Sequence, residues 1–320
     1  MNQLILHHYP VSPFAEKVRA MLGFKGLAWK SVIIPMMMPK PDVVALTGGY
    51  RRTPFLQIGA DVYCDTALIA RVLERVAPSP TLFPYGDTLA GRAMAHFSDT
   101  VLFNIAVPIG FQPGGMMKLF HPETTPEALA AFARDRAAMR QGGTVRRGPL
   151  AQCRANMAGL LPRIEAQLGD RPFLLGASPS ECDFSLYHVL WPLCKVPGTR
   201  PMLEAFAKTV AFVERMAAFG HGKSEEISSA QALEIAKKSK PAAIKNPVTL
   251  ETDGIALGDA VQVMPVDYAL DPVKGELLDC SADAPGALSP GGDTTVTVGL
   301  VEPATACAAD ADCPGARIGS

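Results

Sequence analysis

The chain changes its pattern once, at Pro78-Ser79-Pro80, and that change bounds the folds open to it. Before it, short apolar runs alternate with helical spacing; after it, strand signals vanish from residue 88 to 220. Leu4-Ile5-Leu6 reads as a strand. Phe14, Val18, Met21 and Leu22 then fall at i, i+4, i+7 and i+8, one face of a helix, and Trp29 to Ile34 is a second β-branched run. So short a strand–helix–strand connection implies a parallel pair with a right-handed crossover. Phe55-Leu56-Gln57-Ile58 and Val62-Tyr63-Cys64 flank Gly59-Ala60-Asp61, the pattern of a tight antiparallel hairpin. Leu68, Ile69, Val72, Leu73 and Val76 make a closing helix. The expected order is βαβ, a variable stretch around Met36 to Pro41, then ββα.

Helical stretches follow over 88–103, 126–139, 150–168, 182–191 and 202–219. Residues 222–246 are rich in Lys and Ser, and Lys237-Lys238-Ser239-Lys240 reads as a solvated linker or helix end. Beyond them, Ala260-Val261-Gln262-Val263 and Gly275-Glu276-Leu277-Leu278, separated by turns containing Pro and Asp, suggest a small β module. Residues 281–320 carry no aromatic side chain and only six Leu, Ile or Val, so a loosely ordered tail is expected. The expected class is α+β and multidomain: an α/β unit at 1–80, an all-helical unit at 86–222, a linker at 223–246 and a β-rich appendage at 247–320.

Composition excludes several classes of function. Thirty Lys and Arg against thirty-one Asp and Glu give a net charge of −1, which argues against a sequence-independent nucleic-acid binder. No window of about 18 uninterrupted apolar residues could span a membrane. Met1-Asn2-Gln3 lacks the basic start of a secretory signal, so a cytoplasmic address is expected. The seven cysteines show no metal-binding spacing, and Cys64, Cys153, Cys182 and Cys194 read as reduced core residues.

Three places could do chemistry. Ser12-Pro13 opens the first helix: the hydroxyl can cap the helix by accepting an orphan N–H, and the positive end of the helix can stabilise an anion. Because a hydroxyl carries one proton and two lone pairs, Ser12 can cap and still donate to a thiolate. Thr53-Pro54 enters the hairpin, where a cis bond would turn the Thr53 backbone outward as a docking edge. Asp65-Thr66 opens the closing helix, either as caps or as holders of a ligand's ammonium and carboxylate. A βαβ–ββα arrangement brings all three to one edge of its sheet.

Ser12-Pro13-Phe14 with Lys17-Val18-Arg19, followed by a helical unit, resembles the serine-type motif of the cytosolic glutathione transferase superfamily, in particular its tau-like members. The resemblance covers 220 residues and implies a thioredoxin-like first domain. It implies further that Thr53 and Pro54 meet the cysteinyl backbone of glutathione, and that Asp65 and Thr66 take its γ-glutamyl end. Ser12 becomes the catalytic hydroxyl, with Tyr9 a second choice and His8 a strand-end structural residue. Lys40 is matched to the glycyl carboxylate, whereas Arg51 and Arg52 receive no assignment. Ser180 and Asp183 match the family's capping box ahead of a buried helix.

The implied co-substrate is glutathione, the second partner an unidentified hydrophobic electrophile, the assembly a homodimer, with no metal, nucleic acid or membrane. Phe103, Phe111 and Met116 are core or pocket with nothing to separate them. Asp65, where the family usually has Glu, shortens the arm by one methylene, and the appendage lies outside the family's two-domain plan. Both departures motivate an alternative: a non-catalytic binding module whose appendage docks a partner or covers the cleft. Thiol–disulfide exchange is disfavoured, because Ser12 occupies the helix-start position and Cys64 lies mid-strand beside Asp65.

Overall fold

The computed structural model describes residues 3–245, 247–248 and 255–280, together with strands at 287–289, 295–298 and 307–308. The first unit runs β1 (Leu4–His8), α1 (Pro13–Phe24), β2 (Ala28–Ile33), α2 (Pro41–Thr47), β3 (Phe55–Ile58), β4 (Asp61–Cys64) and α3 (Thr66–Val76). β1 pairs in parallel with β2, then antiparallel with β3, which pairs antiparallel with β4. This is the thioredoxin-like arrangement. α2 occupies the stretch read from the sequence as variable; its seven residues turn only Val43, Leu46 and Thr47 inward, too short a run for a helical period to declare itself.

The helical unit contains α4 (Leu89–Phe97), a π-helical segment (Ser98–Leu102), α5 (Phe103–Gly110), α6 (Met116–Phe120), α7 (Pro126–Ala138), α8 (Leu150–Leu168), α9 (Glu181–Lys195) and α10 (Ala207–Ala217). α9 is its centre, with all residues from Glu181 to Leu193 buried. The capping box forms: the Ser180 N–H donates to Asp183 Oδ2 at 2.8 Å, and Asp183 Oδ1 also accepts from the Leu174 N–H at 2.7 Å.

Residues 223–246, expected as a linker, hold secondary structure. β5 (Lys223–Glu226) adds in parallel to the outer edge of β2, and α11 (Ser229–Lys238) packs on α2 and β2. β5 is exposed at every residue, so it shows no apolar alternation; its charges are those of an edge strand, and Glu225 pairs with Lys30. α11 turns the small Ala232 and Ala236 inward, which hides its period. The C-terminal strands β6 (Ala260–Val263), β7 (Val273–Asp279), β8 (Ala287–Ser289), β9 (Thr295–Val298) and β10 (Cys307–Ala308) extend the same sheet, with β9 parallel to β4. The resulting order is β10-β6-β7-β8-β9-β4-β3-β1-β2-β5. Apart from those last three strands, the loosely ordered tail expected at 281–320 lies outside the described residues.

α1 is held between sheet and helical unit by charges that are out of water. Lys17 is fully buried and donates to Asp99 Oδ2 and Glu181 Oε1, each at 2.8 Å. Glu16 accepts from Arg19 and from the Tyr187 hydroxyl at 2.8 Å, and lies 3.0 Å from His221 Nε2. These two clusters tie the helix carrying Ser12 to α9.

Candidate active site

A cavity of about 890 Å³ opens where the two units meet, and Ser12, Tyr9, Thr53, Pro54, Asp65 and Thr66 all lie on its wall. Ser12 caps α1: its Oγ accepts from the Ala15 N–H at 3.2 Å, while Pro13 fills the first turn. Tyr9 lies beside it on the same wall: the Ser12 N–H donates to the Tyr9 carbonyl at 3.2 Å, and the phenol is buried. Burial pushes that phenol above its ordinary range, against the opposing Arg136 charge, so it stays protonated. Tyr9 thus belongs beside Ser12, at the positive end of the helix.

The Thr53–Pro54 bond is cis. Asp65 caps α3, its Oδ1 accepting from the Ala67 N–H at 2.8 Å and the Leu68 N–H at 3.4 Å. Its φ of +90° is in a region that residues other than glycine rarely adopt, a local strain of the kind that collects at binding sites. Burial raises the Asp65 carboxyl, opposed by the Lys17 charge. Asp99 stands on the same wall. Burial would raise its carboxyl, but Lys17 and His188, whose Nε2 lies 2.8 Å from Oδ1, hold it down to about 2. Asp65 and Asp99 therefore both face the cavity, Asp99 firmly ionised.

Lys40 is the exception among the residues matched to glutathione. It is 2% exposed and absent from the cavity wall, with its Nζ reaching back to the Arg51 carbonyl at 3.4 Å and Thr53 Oγ1 at 3.5 Å. Burial lowers its ammonium to about 8, helped by the charges of Arg136 and Arg51. Arg52 is on the wall instead. His8 is buried, with Nε2 2.9 Å from Ser31 Oγ and Nδ1 3.0 Å from Arg19, as befits a strand-end structural residue. Phe103 and Phe111 line the cavity, whereas Met116 is fully buried in the core. Cys64 is fully buried, and burial together with the Asp65 charge pushes its thiol well up, away from the reactive thiolate.

Residues 6–81 match the family model for the glutathione S-transferase N-terminal domain, and residues 131–215 the model for its C-terminal domain. A solved structure of a GST-like protein from Pseudomonas syringae is 39% identical, covers 94% of this chain and 98% of its own, and superposes with a TM-score of 0.76. The chain belongs to the glutathione S-transferase superfamily. An apo structure of glutathione S-transferase III, 20% identical over 75% of this chain and all of its own, superposes with a TM-score of 0.51 and shares the fold. No curated protein sequence matches the chain significantly. Among the described residues no helix is long and apolar enough to cross a membrane.

Relative to that superfamily plan, the C-terminal strands add a third wall. Pro265, Asp267 and Tyr268, from the connection between β6 and β7, line the cavity. Asp267 pairs with Arg52, and the Arg52 guanidinium stacks 3.9 Å from the Tyr268 ring centroid. The Thr144 and Val145 N–H groups donate to the carbonyls of Val266 and Asp267 at 3.0 and 3.1 Å. Gly143 has no side chain because a Cβ there would collide with the Asp267 carbonyl oxygen. Nothing local in the sequence joins Arg52 to Asp267, 215 residues away. Asp99 was more accessible to inspection: Ser98-Asp99-Thr100 is a polar triplet inside an apolar helical stretch, and it coincides with the π-helical turn, a frequent mark of functional sites.

Proposed function

We propose that the chain is a glutathione transferase that binds glutathione along the α/β wall of the cavity and activates its thiol for attack on an electrophile. In this reading the γ-glutamyl carboxylate meets the N–H and hydroxyl of Thr66 at the start of α3, while its ammonium meets Asp65 and Asp99. The cysteinyl backbone pairs with the Thr53 backbone beside the cis peptide. The sulfur then lies at Ser12.

The observation that carries the proposal is the hydrogen-bonding state of Ser12. Its Oγ accepts from the Ala15 N–H and lies on the cavity wall, which leaves its own proton for an incoming sulfur. The end of α1 adds its potential. A free thiol near pKa 8.5 is mostly protonated at neutral pH; one unit of lowering requires about 1.4 kcal/mol, within reach of a single charge-assisted hydrogen bond. Ser12 stabilises the nucleophile and does not itself attack. The electrophile enters from the helical side, over Phe103 and Phe111. A homodimer and a cytoplasmic address belong to the same proposal.

Retention on immobilised glutathione and turnover of chlorodinitrobenzene test it together. Binding in the parent with turnover lost in Ser12→Ala supports catalysis. The second reading, a non-catalytic module, is favoured by the seating of Asp267 and Tyr268 in the cleft, and failure of the parent to bind glutathione would select it.

A further inference from the structure

The helical side of the cavity carries more positive charge than its neighbours neutralise. Arg51 and Arg136 share Asp135, and Arg52 takes Asp267. Arg140 and Arg147 also line the cavity, and among the described residues neither has a carboxylate partner. Arg140 Nη1 donates to the Arg136 carbonyl at 2.7 Å, and Arg147 Nε donates to Asn104 Oδ1 at 3.1 Å. Asn104 is itself fixed, its Nδ2 donating to the Thr100 carbonyl at 2.8 Å. The contact holds the Arg147 guanidinium by one edge and leaves its terminal nitrogens for another partner.

Two half-buried, unneutralised guanidinium groups beside an aromatic wall of Phe103, Phe111 and Phe132 are expensive for a site meant only for neutral molecules. Burial lowers Arg147 to about 10, and the nearby Arg140 charge adds to the lowering; a bound anion would relieve both. Planar guanidinium forks fit a carboxylate in particular.

We propose that Arg140 and Arg147 form a carboxylate-binding subsite, so that the preferred electrophile is an aromatic compound bearing a carboxylate. The inference rests on the reading of the site as a glutathione transferase. Arg136 links the two halves, since it shares the cavity wall with Tyr9 and Ser12 and its carbonyl accepts from Arg140. An anion on Arg140 and Arg147 would therefore hold an aromatic body across the phenylalanines toward the sulfur. With an aryl chloride, the glutathione thiolate forms a C–S bond at the carbon bearing chlorine, the C–Cl bond breaks and chloride leaves with the electron pair. The thiol proton goes to solvent.

The test compares kcat/KM for neutral chlorodinitrobenzene and for its carboxylate analogue chlorodinitrobenzoate, each divided by its uncatalysed rate with glutathione. The full chain should prefer the carboxylate, and added salt should erode the preference. Arg147→Gln should lower the benzoate-to-benzene ratio about tenfold, the worth of one charge-assisted hydrogen bond, with Arg147→Lys restoring part of it. A ratio that moves less than about twofold in Arg147→Gln combined with Arg140→Gln would overturn the proposal. So would an equal rise in the KM for glutathione, which would assign the arginines to the tripeptide. If the parent turns over neither halide, the enzymatic reading fails first, and calorimetry with unreactive dinitrobenzoate decides the subsite. Binding that disappears in Arg147→Gln keeps it, and no binding removes it.

Discussion

Replacing Lys17 by methionine would remove the ammonium that donates to both Asp99 and Glu181 at 2.8 Å, while keeping the aliphatic volume beneath α9. Each contact is worth ~6 kcal/mol gross at an effective dielectric constant of ~20, but desolvating the ammonium cancels much of that. The net cost comes from two carboxylates left without their cation, and for a broken buried pair it is about 3–5 kcal/mol. Urea unfolding followed by tryptophan fluorescence reads it well, because Trp29 reports on the sheet and Trp191 on α9. The deficit should narrow in acid. Asp99 titrates at about 2 when folded, below its ordinary value, so its contribution is complete above about pH 4 and lost as pH falls toward 2. The variant has already forfeited that contribution, and the two chains should converge over that range. Combining Lys17→Met with Asp99→Asn and Glu181→Gln should recover most of the loss at pH 7, since no charge is then stranded. A single-variant loss under about 1 kcal/mol, or a triple variant no better than the single, would refute the reasoning.

Burial holds His7 at about 4 and, with Arg19, His8 at about 3, so the unfolded chain takes up protons near pH 6.5 while the folded one does not. Stability should fall as pH drops from about 6.5 toward 4, by about 3 kcal/mol from His7 alone; a urea midpoint that stays flat between pH 7 and 5 would contradict this. Asp267→Ala removes the partner of Arg52 and loosens the connection seated in the cleft. Hydrogen exchange at the Thr144 and Val145 amides, which bond to Val266 and Asp267, should accelerate, and unchanged protection would mean that the backbone contacts suffice without the ion pair.

Much of the fold was written in local signals. The i, i+4, i+7, i+8 spacing of α1, the Gly59-Ala60-Asp61 turn and the Ser180–Asp183 box each report on their own few residues, and each formed where the pattern put it. What escaped depends on distant neighbours. Glu16 and Lys17 are charges of α1 that are buried because their partners Asp99, Glu181, Tyr187 and His221 come from the helical unit. β5 and α11 lack apolar periodicity, since one is an exposed edge and the other packs through alanines. The site divides the same way. Ser12, Thr53, Asp65 and Thr66 are neighbours because the βαβ–ββα order gathers them, while Lys40 turned inward once Pro41 began α2 behind Thr53. Arg136, Arg140, Arg147, Asp267 and Tyr268 reach the cavity only through packing between units.

The ionisation of a bound sulfur is the most direct measure of what Ser12 does. Thiolate absorbance of glutathione bound to the full chain, titrated against pH, should show a pKa at least about one unit below the free thiol's, and Ser12→Ala should return it most of the way. A bound thiol that titrates like the free one in the parent, or a lowered value that survives loss of the hydroxyl, would contradict the assignment.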